Sequence, residues 1–324
     1  MDLVAISDFY IPKDSTEDFY CFAEGKLLSH KTNQELLPSV VQLHDALNAL
    51  KMDVGDDKYI QFGELQYRVH LESRKAVHQY SLRRIPSFRP QLIGNNPEGI
   101  EFPPLISELV NECLKSRGGL YLVSGALGVG KTTTAAAIFN HILTKVGGVG
   151  WALENPPEYD LEGEYGDNGV AFQHEVENGN FAYSIRNMMR CYPAGAGSLM
   201  FVGEIRDSET AKEVFKALLN GTRVIFSFHA GSPIEAISRL IAMCGVEDSY
   251  ASEILSESLR LLISQQKTKG MSGKSIVQFE YLIGDNSLRA AIKQQKYEAI
   301  KDIQAMQNNL RSGSRKLLKE RRDA

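Results

Sequence analysis

Nine consecutive residues offer the clearest chemistry in this chain: Gly125, Ala126, Leu127, Gly128, Val129, Gly130, Lys131, Thr132 and Thr133. Three glycines in such a run let backbone N–H groups curl around phosphate oxygens. Lys131 supplies a point charge, and the Thr132 hydroxyl suits Mg²⁺. The pattern is meaningful only between a strand and a helix N-terminus. Here Tyr121, Leu122 and Val123 read as a short buried strand before it, and Thr134-Ala135-Ala136-Ala137 starts like a helix after it. Chance glycine-rich loops lack that frame. The expectation is a site for a nucleoside triphosphate, ATP with Mg²⁺.

Hydrolysis at such a loop requires an oriented water, a fixed Mg²⁺ and cations placed where negative charge develops. An aliphatic strand ending in an acid commonly supplies the second half, and Leu199 to Val202 runs through Gly203 into Glu204. Glu204 is therefore the expected group for orienting and deprotonating the water, with a share in Mg²⁺ through water as an option. Val149 to Leu153 ends in Glu154-Asn155-Pro156-Pro157-Glu158, which makes Glu154 and Glu158 secondary candidates. The proline pair suits a functional tip and an ordinary turn equally. His229, after the strand Val224 to Phe228, could donate to the γ-phosphate or be a satisfied structural histidine. Arg186 and Arg190 lie four apart on an expected helix, Phe181 to Arg190, and so share a face.

These residues must be positioned by alternating elements. From Leu105 onward, helical stripes alternate with strand-like runs, ending with helices over Ser252 to Ile263 and Ser287 to about Asn309 and a strand over Ser275 to Ile283 between them. Such alternation predicts a largely parallel sheet flanked by helices, with chemistry at the C-terminal ends of its strands. Before it, Leu3 to Ile11, Phe19 to Phe22, Lys26 to Ser29, Tyr59 to Phe62, Tyr67 to Leu71 and Val77 to Arg84 read as strands, and Glu35 to Leu50 as one amphipathic helix. That predicts a small α/β domain over residues 1–84. The proline-rich stretch 85–104 is the expected linker and hinge, 105–311 the second domain and 312–324 a basic tail. The tail is either a solvated helix end or a contact for an acidic partner or anionic lipid.

Composition narrows the class. With 324 residues, a net charge of −4 and a hydrophobic content of 43%, the chain resembles an ordinary globular protein with no general electrostatic affinity for nucleic acid. No stable nucleic-acid binding is expected. Cys21, Cys113, Cys191 and Cys244 form no CxxC pair, which argues against a zinc site or a disulfide framework. The acidic N-terminus and the lack of a long apolar run predict a protein that is neither secreted nor membrane-spanning.

The order of boxes, GALGVGKTTT, LENPPE, LMFVGEIRDSETA and FHAGSPIEAISRL, resembles the secretion and type IV pilus motor ATPases, particularly the pilus-retraction (twitching motility) ATPases and their conjugative and type IVB secretion relatives. The resemblance implies a RecA-like P-loop NTPase core preceded by a small PAS-like α/β domain. It makes GALGVGKT the Walker A element, LENPPE the acidic box, and Glu204 the catalytic glutamate. Arg186 and Arg190 match paired arginines ahead of Walker B, and Arg239 an arginine closing the histidine box. Tyr67-Arg68-Val69 and Leu82-Arg83-Arg84-Ile85-Pro86-Ser87 resemble arginine-bearing segments of the N-terminal domain, so Arg68 and Arg83 become candidates for reaching a neighbouring subunit's nucleotide. Asn155 stands where the family's acidic box has aspartate, and Thr222 where its histidine box has a second histidine. The implied protein is a cytoplasmic hexameric ATPase, peripheral at the inner membrane, acting on a platform protein of a pilus or secretion machine. Two other classes stay open: a RecA-like nucleic-acid motor, and a nucleotide-gated regulatory scaffold with little hydrolysis.

Overall fold

The computed structural model describes residues 6–23, 26–75, 77–86, 88–94, 96, 97, 100–193, 197–244, 248–269 and 275–322. Leu3, Val4 and Ala5 of the first expected strand, Glu24 and Gly25, Ser87 and the side chains of the basic tail lie outside the described residues. The chain divides into two compact units, Met1–Phe88 with Asn155–Asp160, and Arg89–Glu154 with Leu161–Ala324.

The N-terminal unit holds β1 (Ile6–Pro12), β2 (Tyr20–Ala23), β3 (Lys26–Ser29), α1 (Leu37–Ala49), β4 (Asp57–Phe62), β5 (Leu65–Arg74) and β6 (Val77–Ile85). Its sheet is antiparallel throughout, in the order β3-β2-β1-β6-β5-β4. Strand alternation decides its two faces. Tyr67, Val69 and Leu71 of β5 and Tyr80 and Leu82 of β6 are buried in one core with Val40, Leu43 and Leu47 of α1. The residues between them, Arg68, His70, Ser81 and Arg83, therefore belong to the opposite, polar face.

The second unit is built on an eight-stranded sheet in the order β14-β13-β7-β12-β11-β8-β10-β9. Its strands are β7 (Gly119–Gly125), β8 (Gly148–Glu154), β9 (Gly163–Tyr165), β10 (Gly169–Glu175), β11 (Ser198–Glu204), β12 (Arg223–Phe228), β13 (Leu259–Lys269) and β14 (Ser275–Ile283). Six neighbouring strands run parallel, and one antiparallel strand closes each edge. The helices are α2 (Pro104–Cys113), α3 (Lys131–Val146), α4 (Phe181–Met188), α5 (Ser208–Leu219), α6 (Pro233–Met243), α7 (Asp248–Ser258), α8 (Asn286–Lys293) and α9 (Tyr297–Arg322). The mixed α/β class with a largely parallel sheet is as the alternation predicts.

Three details differ from the sequence expectation. Leu259 to Ile263, expected as the end of a helix, instead begins β13, because that apolar run pairs in parallel with β7. The expected helix from Ser287 to Asn309 is two helices, broken where Gln295 takes a φ of 53°. The proline-rich stretch is not free along its length. The Asn140 side-chain amide donates to the Pro90 carbonyl at 2.9 Å, Arg89 donates to the carbonyls of Glu162 and Glu164, and its guanidinium lies 4.5 Å over the Tyr165 ring. Among the described residues, no helix is long and apolar enough to cross a membrane.

Candidate functional site

Strand β7 is buried along its whole length and delivers the chain into the glycine-rich turn before α3. Gly130, the residue that caps α3, is left-handed at φ 91°, a conformation that costs glycine nothing. Lys131 is buried and its Nζ folds back to donate to the Ala126 carbonyl at 2.8 Å, so the ammonium sits across the turn. The backbone amides at the head of α3, Lys131 and the hydroxyls of Thr132 and Thr133 are the groups that could cradle an anion. Among the described residues, no group of three or more His, Cys, Asp or Glu side chains could hold a metal by itself. Mg²⁺ prefers hard oxygen donors and keeps much of its shell from phosphates and water. The Thr132 hydroxyl beside the cradle fits that donor set.

His229, just past β12, meets this lysine: Lys131 Nζ lies 3.4 Å from His229 Nδ1. An ammonium can only donate, so Nδ1 accepts and the ring proton resides on Nε2. Partial desolvation, followed by the charge of Lys131, holds the His229 pKa below its ordinary value of 6.5, against an opposing pull from Glu204. The imidazole is thus a neutral donor through Nε2 at neutral pH. Arg239 fixes the segment, donating to the His229 carbonyl at 2.5 Å and pairing with Glu235 at 3.2 Å. Its helix α6 starts as a capping turn, with Ser232 Oγ accepting from the Glu235 amide and Glu235 accepting from the Gly231 amide.

Glu204 ends β11 at an irregularity: Val202 pairs with Phe226, but Glu204 pairs with Ser227. Ser227 Oγ donates to the Gly203 carbonyl at 2.6 Å and ties down the shift. Such bulges re-aim the next side chain. Glu204 forms an ion pair with Arg206. Glu154, at the tip of β8, is 2% exposed and accepts from Gln173 Nε2 at 2.8 Å. A Cβ on Gly203 would stand 3.4 Å from Glu154 Cγ, so the two acidic strand tips lie side by side.

The structure thus brings Lys131, Glu204, His229 and Arg239 into one neighbourhood, with Arg206 as a further cation there. It does not place Arg186 and Arg190 on one helix face. α4 stops at Met188 and Arg190 follows in a turn. Arg186 Nη1 lies 3.1 Å from both Glu209 and Glu213, binding α4 to α5. Within the N-terminal unit, Arg68 stands directly opposite Arg83 in register. Like charges so placed repel. Asp57 at 3.5 Å and Asp8 at 3.0 Å offset them, and these four residues with Tyr10, His70, Ser81 and Leu82 line a pocket of about 340 Å³. Sequence reasoning missed Gln173 and Arg206. Arg206 sits two residues after Glu204, and that spacing was its only signal; Gln173 had none.

A family model described as "Type II/IV secretion system protein" matches residues 57–320. The chain belongs to that family, and it is a P-loop ATPase. It is 31% identical over 268 residues to the Uncharacterized protein YggR of Escherichia coli (strain K12), covering 78% of this chain and 77% of that one. It is 31% identical over 189 residues to the type IV pilus retractation ATPase PilT of Pseudomonas aeruginosa, covering 55% of this chain and 51% of the relative. The chain therefore spans about half the length of that characterised relative. The crystal structure of the pilus retraction motor PilT with bound ADP superposes with a TM-score of 0.74 at 21% identity, covering 93% of this chain and 86% of that one. That likeness establishes the fold: a RecA-like core preceded by a small α/β domain. Nucleotide binding follows from the family and the cradle together.

Proposed function

We propose that the protein is a Mg²⁺-dependent motor ATPase that works as a ring, a hexamer in our reading, in the cytoplasm at the inner-membrane face of a type IV pilus or secretion machine. The observation that carries the catalytic part is the cluster of Lys131, His229, Arg239 and Glu204 around the phosphate cradle. Lys131 and the α3 amides hold the β- and γ-phosphates. His229 Nε2–H donates to the γ-phosphate, and Arg239 keeps the histidine segment in place. Glu204 orients water and takes its proton, while Glu154 supports the neighbouring strand tip. Thr132 would ligate Mg²⁺, which, when bound, neutralises developing phosphate charge.

Cations from an adjacent subunit complete the site in this reading. Arg68 and Arg83 are the candidates, since a planar guanidinium suits phosphate and their shared sheet face presents two together. Arg186, held by two glutamates, becomes a strut between α4 and α5, and Arg190 remains an exposed cation available to a neighbour.

The test measures ATP turnover and mass by light scattering on the purified chain, with and without DNA and a detergent-solubilised membrane platform protein. The reading requires Mg²⁺-dependent turnover by an assembled ring. Stimulation by DNA, or binding of ATP without turnover in any condition, overturns it. Glu204→Gln should lower kcat by roughly a hundredfold or more while nucleotide affinity is retained, the scale for losing a positioned proton acceptor.

A further inference from the structure

Arg206 has no part in the scheme above, yet it is the ion-pair partner of the one acid that scheme depends on. The Arg206 side chain is 73% exposed and the Glu204 side chain 24%, so the arginine is the more solvent-exposed partner of the pair. Arg206 belongs to no strand or helix. β11 ends at Glu204, and α5 begins at Ser208 behind a firm cap, with Asp207 accepting from the amide and the hydroxyl of Thr210 at 2.8 and 2.7 Å. The two residues between the strand tip and that cap, Ile205 and Arg206, divide the work. Ile205 is buried in the same hydrophobic core as Ala211, Val214 and Phe215 of α5, which anchors the segment, and Arg206 is exposed. Arg206 is thus a long side chain on a fixed base, able to swing while its backbone stays still.

Charge supplies the direction of that swing. Glu204, Arg206, Lys131 and Arg239 all act on His229, so Arg206 lies within electrostatic reach of the phosphate cradle as well as of the carboxylate. We infer that Arg206 is a positioning residue that restrains Glu204 by ion pairing and releases it when the guanidinium is drawn to phosphate charge. The inference rests on the assignment of Glu204 as the water-orienting group. While its oxygens accept guanidinium N–H bonds, they are poorly placed to accept a proton from water. Release is local, since an exposed ion pair holds with little free energy.

The weakness of such a pair sets the size of the effect. Removing it should raise basal kcat about two- to fivefold, the factor corresponding to an exposed ion pair, with KM for ATP nearly unchanged. Arg206→Gln and Arg206→Ala should both show the rise, and Arg206→Lys, which can still pair, should return kcat towards the wild-type value. In a Glu204→Gln background the residual rate should not respond to Arg206→Gln, because no carboxylate is left to restrain. Thermal unfolding of each variant shows whether it is folded, and the glutamine variant stands in if the alanine variant is not. A fall in kcat for both variants, or an equal rise in the Glu204→Gln background, overturns the restraint. Near wild-type turnover by Glu204→Gln alone instead overturns the assignment beneath it, so the two failures are distinct.

Discussion

At the residue scale, the imidazole of His229 is set by its neighbours rather than by its own preference. Desolvation and the adjacent ammonium lower its pKa, so it charges only below its ordinary value of 6.5. The sign follows: above 6.5 the ring is neutral in folded and unfolded chains alike, and as pH falls below 6.5 only the unfolded chain takes up the proton readily. An acid limb of the kcat profile contributed by His229 should therefore lie below pH 6.5, and it should vanish in His229→Asn, which keeps a donor but cannot titrate. His229→Ala should lose roughly a hundredfold in kcat, the scale for removing one preplaced donor. A limb centred above 6.5 in the wild type would contradict the neutral ring. The sequence made the histidine visible through its place after an apolar strand. It could not reveal the tautomer, which depends on Lys131 arriving from a helix 98 positions away in sequence. Gln173 was invisible for a related reason: its amide matters through partners distant in sequence, donating to the buried Glu154 and accepting from the Leu161 amide.

At the scale of elements, the strand-loop-helix around the cradle could be read directly, because glycine, lysine and threonine at fixed spacing leave few alternatives. Gly125 shows why the spacing is strict. It has a φ of 151°, and a Cβ there would stand 2.5 Å from the Gln265 carbonyl and 2.9 Å from Val129 Cγ2. Gly125→Ala must push β13 away from the loop, and overpacking of that kind costs about 1–3 kcal/mol. We expect that loss in chemical denaturation, together with weakened ATP binding by calorimetry; unchanged stability would mean that the strand yields freely. The elements that escaped the sequence reading share a different physics. β9 has only three residues, and β10, though seven long, turns polar after Phe172, so neither shows a long apolar run. β13 has such a run, but short apolar stretches do not distinguish helix from strand, and its pairing with β7 made the choice. Gln173→Leu keeps the bulk of the side chain and removes both the hydrogen bond it donates to Glu154 and the one it accepts from the Leu161 amide at 3.1 Å. Losing a hydrogen bond to a buried charged group costs about 1.5–3 kcal/mol, so this variant should unfold at lower denaturant while Lys131 still binds nucleotide.

At the scale of the whole molecule, a single chain supplies its phosphate-directed charges in two places. The second unit concentrates Lys131, His229 and Arg239 beside Glu204, and the N-terminal unit presents Arg68 and Arg83 opposite each other on one polar sheet face. Two guanidiniums in direct register are an unfavourable arrangement that a fold does not need for its own stability; Asp57 and Asp8 offset them only at the surface, where ion pairs contribute little. If their work is done on a neighbour's nucleotide, that repulsion is relieved by phosphate in the assembled ring. Subunit mixing tests this directly. A chain carrying Arg68→Ala and Arg83→Ala keeps its own Glu204, and a Glu204→Gln chain keeps both arginines. Each alone should be nearly inactive, yet mixed rings contain interfaces where an intact glutamate faces intact arginines, so turnover should reappear. With random mixing at equal amounts, one interface in four meets that condition by simple combination, and specific activity should follow the product of the two mole fractions. Activity confined to the sum of the separate preparations would remove Arg68 and Arg83 from the site. A dilution series adds an independent arm: turnover per chain should fall as the ring dissociates, and a rate constant down to the monomer would leave the arginines with no neighbour to serve.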